Sequence, residues 1–162
     1  MSGNEVAPRE IGAMIEAFHA ATAVSSLTRG HEVVCHHDIA PWNTIHRDGL
    51  LVGMIDFDAA APGNRLDDLA YAAWTFLGIG KESEVHLRNG LQEICEGYCL
   101  TDRSGLGDAL LCQQKKVLAW RQHLASTATD LRLREMSQER TVQISDQIRW
   151  VQSHLHLIDG TD

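Results

Sequence analysis

A mainly α-helical domain with one small β-hairpin is the fold this sequence predicts. Three observations carry it. Apolar residues recur at helical spacing in five separate stretches, a single pair of β-capable runs flanks a tight-turn signal, and no low-complexity linker or repeat divides the chain.

The first stretch, 9–23, places Ile11, Met14, Ile15, Phe18 and Ala21 at helical spacing, and Pro8 stands where a first turn tolerates proline. It should end near the Ser-Ser and Thr-Arg-Gly run at 25–30. "EVVCH" follows as a short extended piece. "NTIHRDGLLVGMIDF" predicts a hairpin about Arg47-Asp48-Gly49. Residues 66–78 read as an apolar helix ending at Gly78. Residues 82–98 read as another, with Val85, Leu87, Leu91, Ile94 and Tyr98 available for burial. A longer helix is expected from Leu106 to about Leu133, with Leu110, Val117, Trp120 and Leu124 on one face. The last covers about 138–157, where Ile144, Ile148, Val151 and Leu155 form a stripe suited to core packing.

With 162 residues, 44% hydrophobic and 22% charged, the chain suits one globular domain, 1–162, able to bury a sizeable core. No apolar run is long enough to span a bilayer, and "MSGNEVAPREIG" lacks the basic and apolar regions of a signal peptide. The expectation is a soluble cytoplasmic protein with no membrane partner. The net charge is −8, and residues 1–80, with ten acids and four bases, hold most of the excess. Such a field repels nucleic acid and favours a cationic small molecule. Cys35, Cys95, Cys99 and Cys112 read as free thiols acting as small hydrophobes, not as a disulfide framework.

The chemistry concentrates in "VVCHHDIAPWNTI", residues 33–45. Zinc is one reading of Cys35, His36, His37 and Asp38. Adjacent histidines diverge in an extended loop, and no second pair at ligand spacing stands elsewhere in the sequence. Phosphoryl transfer is the stronger reading. His36-x-Asp38-x₄-Asn43 has the spacing of a kinase catalytic loop, in which Asp accepts a hydroxyl proton and Asn holds Mg²⁺. Asp56-Phe57-Asp58 stands at the far end of the hairpin, where a kinase keeps its metal-binding Asp-Phe-Gly. A hairpin brings its ends together, so Asn43 and Asp56 can face one ion. Asn43 and Asp56 are the cofactor-binding candidates, and both, with Asp58, are the metal candidates.

The stretch "VVCHHDIAPWNTIHRDGLLVGMIDFDAAAPGNRLDDLAYAAW", residues 33–74, resembles the core of the aminoglycoside phosphotransferase and choline kinase-like family, small-molecule relatives of protein kinases. The shared features are the H-x-D-x₄-N loop with its proline, the hairpin, the "IDF" segment and "DLA" opening a helix. "FHAAT" at 18–22 is similar to the helix that precedes the loop. The resemblance implies Asp38 as catalytic base, His36 as the catalytic-loop histidine that braces it, and Asn43 and Asp56 as Mg²⁺ ligands. It implies for Asp68 the structural task of tying a helix start to the loop. Asp58, Asn64 and Ala61 depart from the common Gly, Asp and Gly.

The implied fold is a protein-kinase-like C-terminal lobe. The family also carries a β-rich N-terminal lobe with a phosphate-covering loop and an ATP-pairing lysine. The 35 residues before His36 cannot supply it, and residues 1–32 contain no lysine. The chain is therefore expected to correspond to the C-terminal lobe alone. The implied activity is Mg²⁺- and ATP-dependent (or other nucleoside triphosphate-dependent) phosphorylation of a hydroxyl on a cationic acceptor such as an aminoglycoside, impaired by the absent lobe. The alternative is a non-catalytic remnant or binding module. Either way a homodimer or a partner chain is expected to cover the face of the absent lobe.

Overall fold

The structure, a computed structural model, describes residues 7–161. The first half of the N-terminal stretch read for a targeting signal lies outside these residues. Helix α1, Pro8–Thr22, starts on its proline and buries Ile11, Ile15 and His19. A 3₁₀ turn at Ser26–Thr28, capped by the Ser25 hydroxyl, leads to strand β1, Val33–Cys35. A second 3₁₀ turn, Pro41–Asn43, precedes the hairpin of β2, Thr44–Arg47, and β3, Leu50–Met54.

The hairpin turn forms where the sequence places it. Asp48 and Gly49 both take positive φ, 52° and 82°. Two such residues in succession give the turn whose twist matches that of the flanking strands. A register shift between Ile45 and His46 bends the ladder.

After a 3₁₀ turn at Phe57–Ala59, strand β4, Ala61–Gly63, pairs antiparallel with β1, Cys35 opposite Ala61. This second small sheet was not expected. Three residues that include Pro62 carry no strand periodicity, and tertiary proximity makes the pairing.

Helix α2, Arg65–Phe76, opens on a reciprocal capping box between Asn64 and Asp67. Helix α3, Glu84–Tyr98, is capped by the Ser83 hydroxyl and ends at Cys99 in the left-handed conformation. Val85 is exposed rather than buried, while Leu87, Leu91, Ile94 and Tyr98 enter the core as expected.

Helix α4, Leu106–Thr127, is shorter than expected. The Asp130 carboxylate accepts from Leu133 N–H and starts α5, Leu131–Ser153, well before residue 138. A short α6, Leu155–Asp159, closes the chain. The stripe of Ile144, Ile148, Val151 and Leu155 packs into or against the core across α5 and α6. No helix among the described residues is long and apolar enough to cross a membrane.

The core joins α1 and α3 to α2, then continues to α4–α6 through Leu69, Leu91, Leu110 and Ile144. Helices α1 and α3 cross with almost no space between backbones. A Cβ on Gly12 would sit 2.0 Å from the Ile94 carbonyl oxygen, and one on Gly97 would sit 2.0 Å from that of Arg9. Neither neighbour is a side chain that can turn aside. Gly12→Ala or Gly97→Ala should therefore force the helices apart, costing about 3 kcal/mol and roughly 10 °C in Tm. Thermal unfolding checks this, and an unchanged Tm would refute the close crossing.

Candidate active site

The site is organised around Asp68, a fully buried carboxylate in the first turn of α2. Its Oδ2 accepts the His36 backbone N–H at 2.8 Å, and its Oδ1 accepts that of His37, also at 2.8 Å. His19 of α1 adds its Nε2 at 2.9 Å, and its Nδ1 lies 2.8 Å from the Tyr98 hydroxyl of α3. In the neutral ring, Nε2–H donates to Asp68 and Nδ1 accepts from Tyr98. The Tyr98 oxygen in turn accepts from Arg65 at 3.2 Å. Burial pushes the Tyr98 hydroxyl above its usual range, with Arg65 working against it. One carboxylate thus binds α1, α2 and the loop, and α3 through His19. His37 has φ 63°, a conformation these two backbone bonds help to hold.

The polar face of α2 continues beyond Asp68. Tyr71 donates to Asp38 Oδ1 at 2.7 Å, and Thr75 donates to the Ile39 carbonyl at 2.9 Å. Asn43 Nδ2 donates to Asp38 Oδ2 at 2.8 Å and to the Asp38 carbonyl at 2.9 Å. Each Asp38 oxygen is therefore held by one donor and keeps lone-pair capacity for another. Sequence reading missed Tyr71 and Thr75. The signal was present, since residues 68, 71 and 75 share one helical face, but the apolar character of 66–78 obscured it. Burial, then the bond to Asp38, raises the Tyr71 hydroxyl well above its usual range, and Arg140 and Arg121 pull it the other way.

His36 is fully buried and lies outside the cavity described below. Its Nδ1 accepts the Asp38 N–H at 3.3 Å, so its Nε2–H donates to the Ile55 carbonyl at 3.0 Å. Its ring lies 4.6 Å from that of Phe57. It ties the loop to the far end of the hairpin and does not contact the cavity, so it is a positioning residue.

Ile55 N–H donates to the Asn43 carbonyl at 3.0 Å, which joins the two ends of the hairpin. Asp56 follows directly, with φ 65° and its side chain exposed. Asp56 and Asp58 make no side-chain hydrogen bond among the described residues, and Asn43 keeps its Oδ1 free there. An amide oxygen and an exposed carboxylate are hard donors of the kind Mg²⁺ takes when phosphates and water complete its shell. The donor chemistry of Asn43, Asp56 and Asp58 therefore suits the ion.

A cavity of about 700 Å³ opens against Asp38. The loop contributes His37, Asp38 and Trp42, α2, α4 and α5 supply most of the other walls, and Ala59, Gly78 and Lys81 complete them. Asp38 is the one carboxylate among the lining residues, beside Lys81, Lys116, Arg121 and Arg140. The acid excess of residues 1–80, from which a cationic acceptor was expected, does not line this cavity.

Cys35 is buried, and its Sγ–H donates to the Asn64 carbonyl at 3.2 Å. Burial and the charge of Asp68 push this thiol far up. Its sulfur, His19 and Asp68 place ligand atoms within 4.8 Å of one another, a grouping no sequence spacing reveals. All three side chains already hold hydrogen bonds in that network, so the grouping reads as a structural knot.

The sequence profile of the phosphotransferase enzyme family matches residues 3–105, well over half of the chain. The chain belongs to this family. The match bears out the resemblance carried by residues 33–74. The trifolitoxin immunity protein of Rhizobium leguminosarum bv. trifolii is 34% identical over 85 aligned residues, covering 44% of this chain and 33% of that protein. The chain thus spans about a third of the length of the curated relative it matches. No solved structure matches.

Two outcomes are expected for this phosphotransferase-family site. Asp68→Ala removes the acceptor for two backbone N–H groups and should cost about 4 kcal/mol, while Asp68→Asn should cost about half of that. Urea denaturation measures both, and a loss below about 1 kcal/mol for Asp68→Ala would contradict the anchoring role. The chain's two tyrosines, Tyr71 and Tyr98, are both raised. Their contribution to stability should be full below pH ~10 and lost as pH rises through the native values. Tyrosinate absorbance should stay flat near pH ~10 in the folded protein and appear there once it is unfolded.

Proposed function

We propose that the chain transfers the terminal phosphoryl group of ATP, or of another nucleoside triphosphate, to a hydroxyl of a small molecule held in the cavity. The observation that carries this reading is Asp38: a half-buried carboxylate, fixed by Tyr71 and Asn43, on the wall of a cavity sized for a small molecule. A general base must lie within reach of the hydroxyl it deprotonates and be held there, and both conditions favour Asp38. In the proposed step Asp38 accepts the hydroxyl proton. The acceptor oxygen bonds to the terminal phosphorus as the bond to the bridging oxygen breaks.

Asn43 and Asp56 would hold Mg²⁺, which neutralises charge on the phosphates when bound. Asn43 would link the two tasks, because its amide nitrogen positions Asp38 while its oxygen, bonded to no described residue, would serve the ion. Positioning and electrostatics supply most of the rate in this class, so small losses of alignment cost much. The Rhizobium relative is named for immunity to trifolitoxin. Inactivation of a toxic compound at a hydroxyl would give this chain a comparable role.

Two variants test the proposal. Asp38→Asn should lower the turnover rate by about 10²- to 10⁴-fold while leaving nucleotide binding intact. Asp56→Ala should abolish the rise in melting temperature that Mg²⁺ with ATP gives the wild-type protein. Binding of Mg²⁺-ATP without turnover on any hydroxyl compound would instead favour the binding-module reading. No thermal response in the wild-type protein would remove the nucleotide from the proposal.

A further inference from the structure

The charge and shape of the cavity say more about its occupant than the net charge of the chain does. Lys81, Lys116, Arg121 and Arg140 all line it, from three different parts of the fold, and none forms an ion pair with a carboxylate among the described residues. Cations grouped around one space repel one another, and a protein normally spreads or pairs them. Arg121 is the most telling. Its guanidinium lies 4.5 Å from the centre of the Trp120 ring, and its Nε is buried with no hydrogen-bond partner among the described residues. A buried donor left without a partner is costly, and a bound acceptor group would relieve it. Arg140 bonds only the Gln143 amide oxygen at 3.0 Å and keeps guanidinium donors to spare.

The apolar part of the lining is largely aromatic, with Val117 and Ala59 beside the rings. Trp42, Trp74 and Trp120 are three of the chain's four tryptophans. Trp74 is fixed by its Nε1–H bond to Gln147 at 3.0 Å and meets Tyr71 edge-on at 5.7 Å. Indole faces suit a flat, unsaturated body more than a polyhydroxylated amine.

We propose that the acceptor is a ring-bearing hydroxy acid. Its acidic group meets Arg121 and Arg140, its ring lies against the tryptophans, and its hydroxyl points to Asp38. The inference rests on the cavity being the acceptor site of the phosphotransfer reading, and it replaces the cationic acceptor with an anionic one. Guanidinium groups favour it because their planar donors match a carboxylate or phosphate in pairs.

The test uses the intact chain and two probes of matched shape. 3-Phenyllactate carries a ring, a hydroxyl and a carboxylate; phenylalaninol carries a ring, a hydroxyl and an ammonium. Titration followed by tryptophan emission should show 3-phenyllactate binding at least about tenfold more tightly, with the preference weakening as salt rises. Arg121→Gln with Arg140→Gln should abolish the preference, and exposed Lys116→Gln, which carries little folding risk, should reduce it. Circular dichroism confirms that the variants fold. Tighter binding of phenylalaninol or of kanamycin, equal binding, no response to either probe, or a preference that survives all three substitutions would overturn the inference. So would competition between 3-phenyllactate and Mg²⁺-ATP, because the cations would then serve the phosphoryl donor. Transfer to the probes is assayed separately. Acid preference without transfer would count against the phosphotransfer reading and strip the acidic ligand of its role as acceptor while leaving the cavity's preference for it standing, and transfer to kanamycin without acid preference would sink this inference alone.

Discussion

The buried carboxylate of Asp68 is the constraint on which the rest of the structure depends. A charge at this depth must be satisfied, and here three N–H groups from α1 and the loop satisfy it. The satisfaction is what fixes the loop. With His36 and His37 pinned by their backbone, the chain turns through a left-handed residue and delivers Asp38 to the cavity wall. The side chain sits where a helix N-terminus favours negative charge, so the helix adds to the same effect.

Outward from that point, each support of Asp38 comes from a different element. Tyr71 and Thr75 belong to α2, Asn43 to the turn before the hairpin, and His36 links the loop to the hairpin's far end. Side chains held in this way keep their geometry without a ligand, which is what a site built on positioning needs. The close glycine-mediated crossing of α1 and α3 serves the same end at one remove. It keeps His19 and Tyr98 in line behind Asp68.

The electrostatics divide in two. Among the described residues, the acids of the first eighty are spread over α1, the approach to β1, the loop, the hairpin with the turn after it, where Asp56 and Asp58 are exposed, and the start of α2. The cavity takes its sign instead from Lys81 before α3, from α4 and from α5. A net charge summed along the chain averages these two faces and describes neither. That is why a substrate class read from composition pointed the opposite way from the one the lining favours.

By itself the sequence determined the family, the hairpin with its Asp-Gly turn, the order of the helices, the loop that carries Asp38 and Asn43, and the place of Asp56 at the hairpin's far end. These are local facts: spacing within a loop, turn chemistry and the 3.6-residue period all act over a few residues. Tertiary structure decided the rest. The β1–β4 pairing, the break between α4 and α5, the burial of His36 and the partnership of Tyr71 with Asp38 each depend on what packs alongside. The cavity depends on it most. Its four cations come from three separate segments, Lys81 before α3, Lys116 and Arg121 of α4 and Arg140 of α5, and only tertiary packing brings their charges to bear on one space.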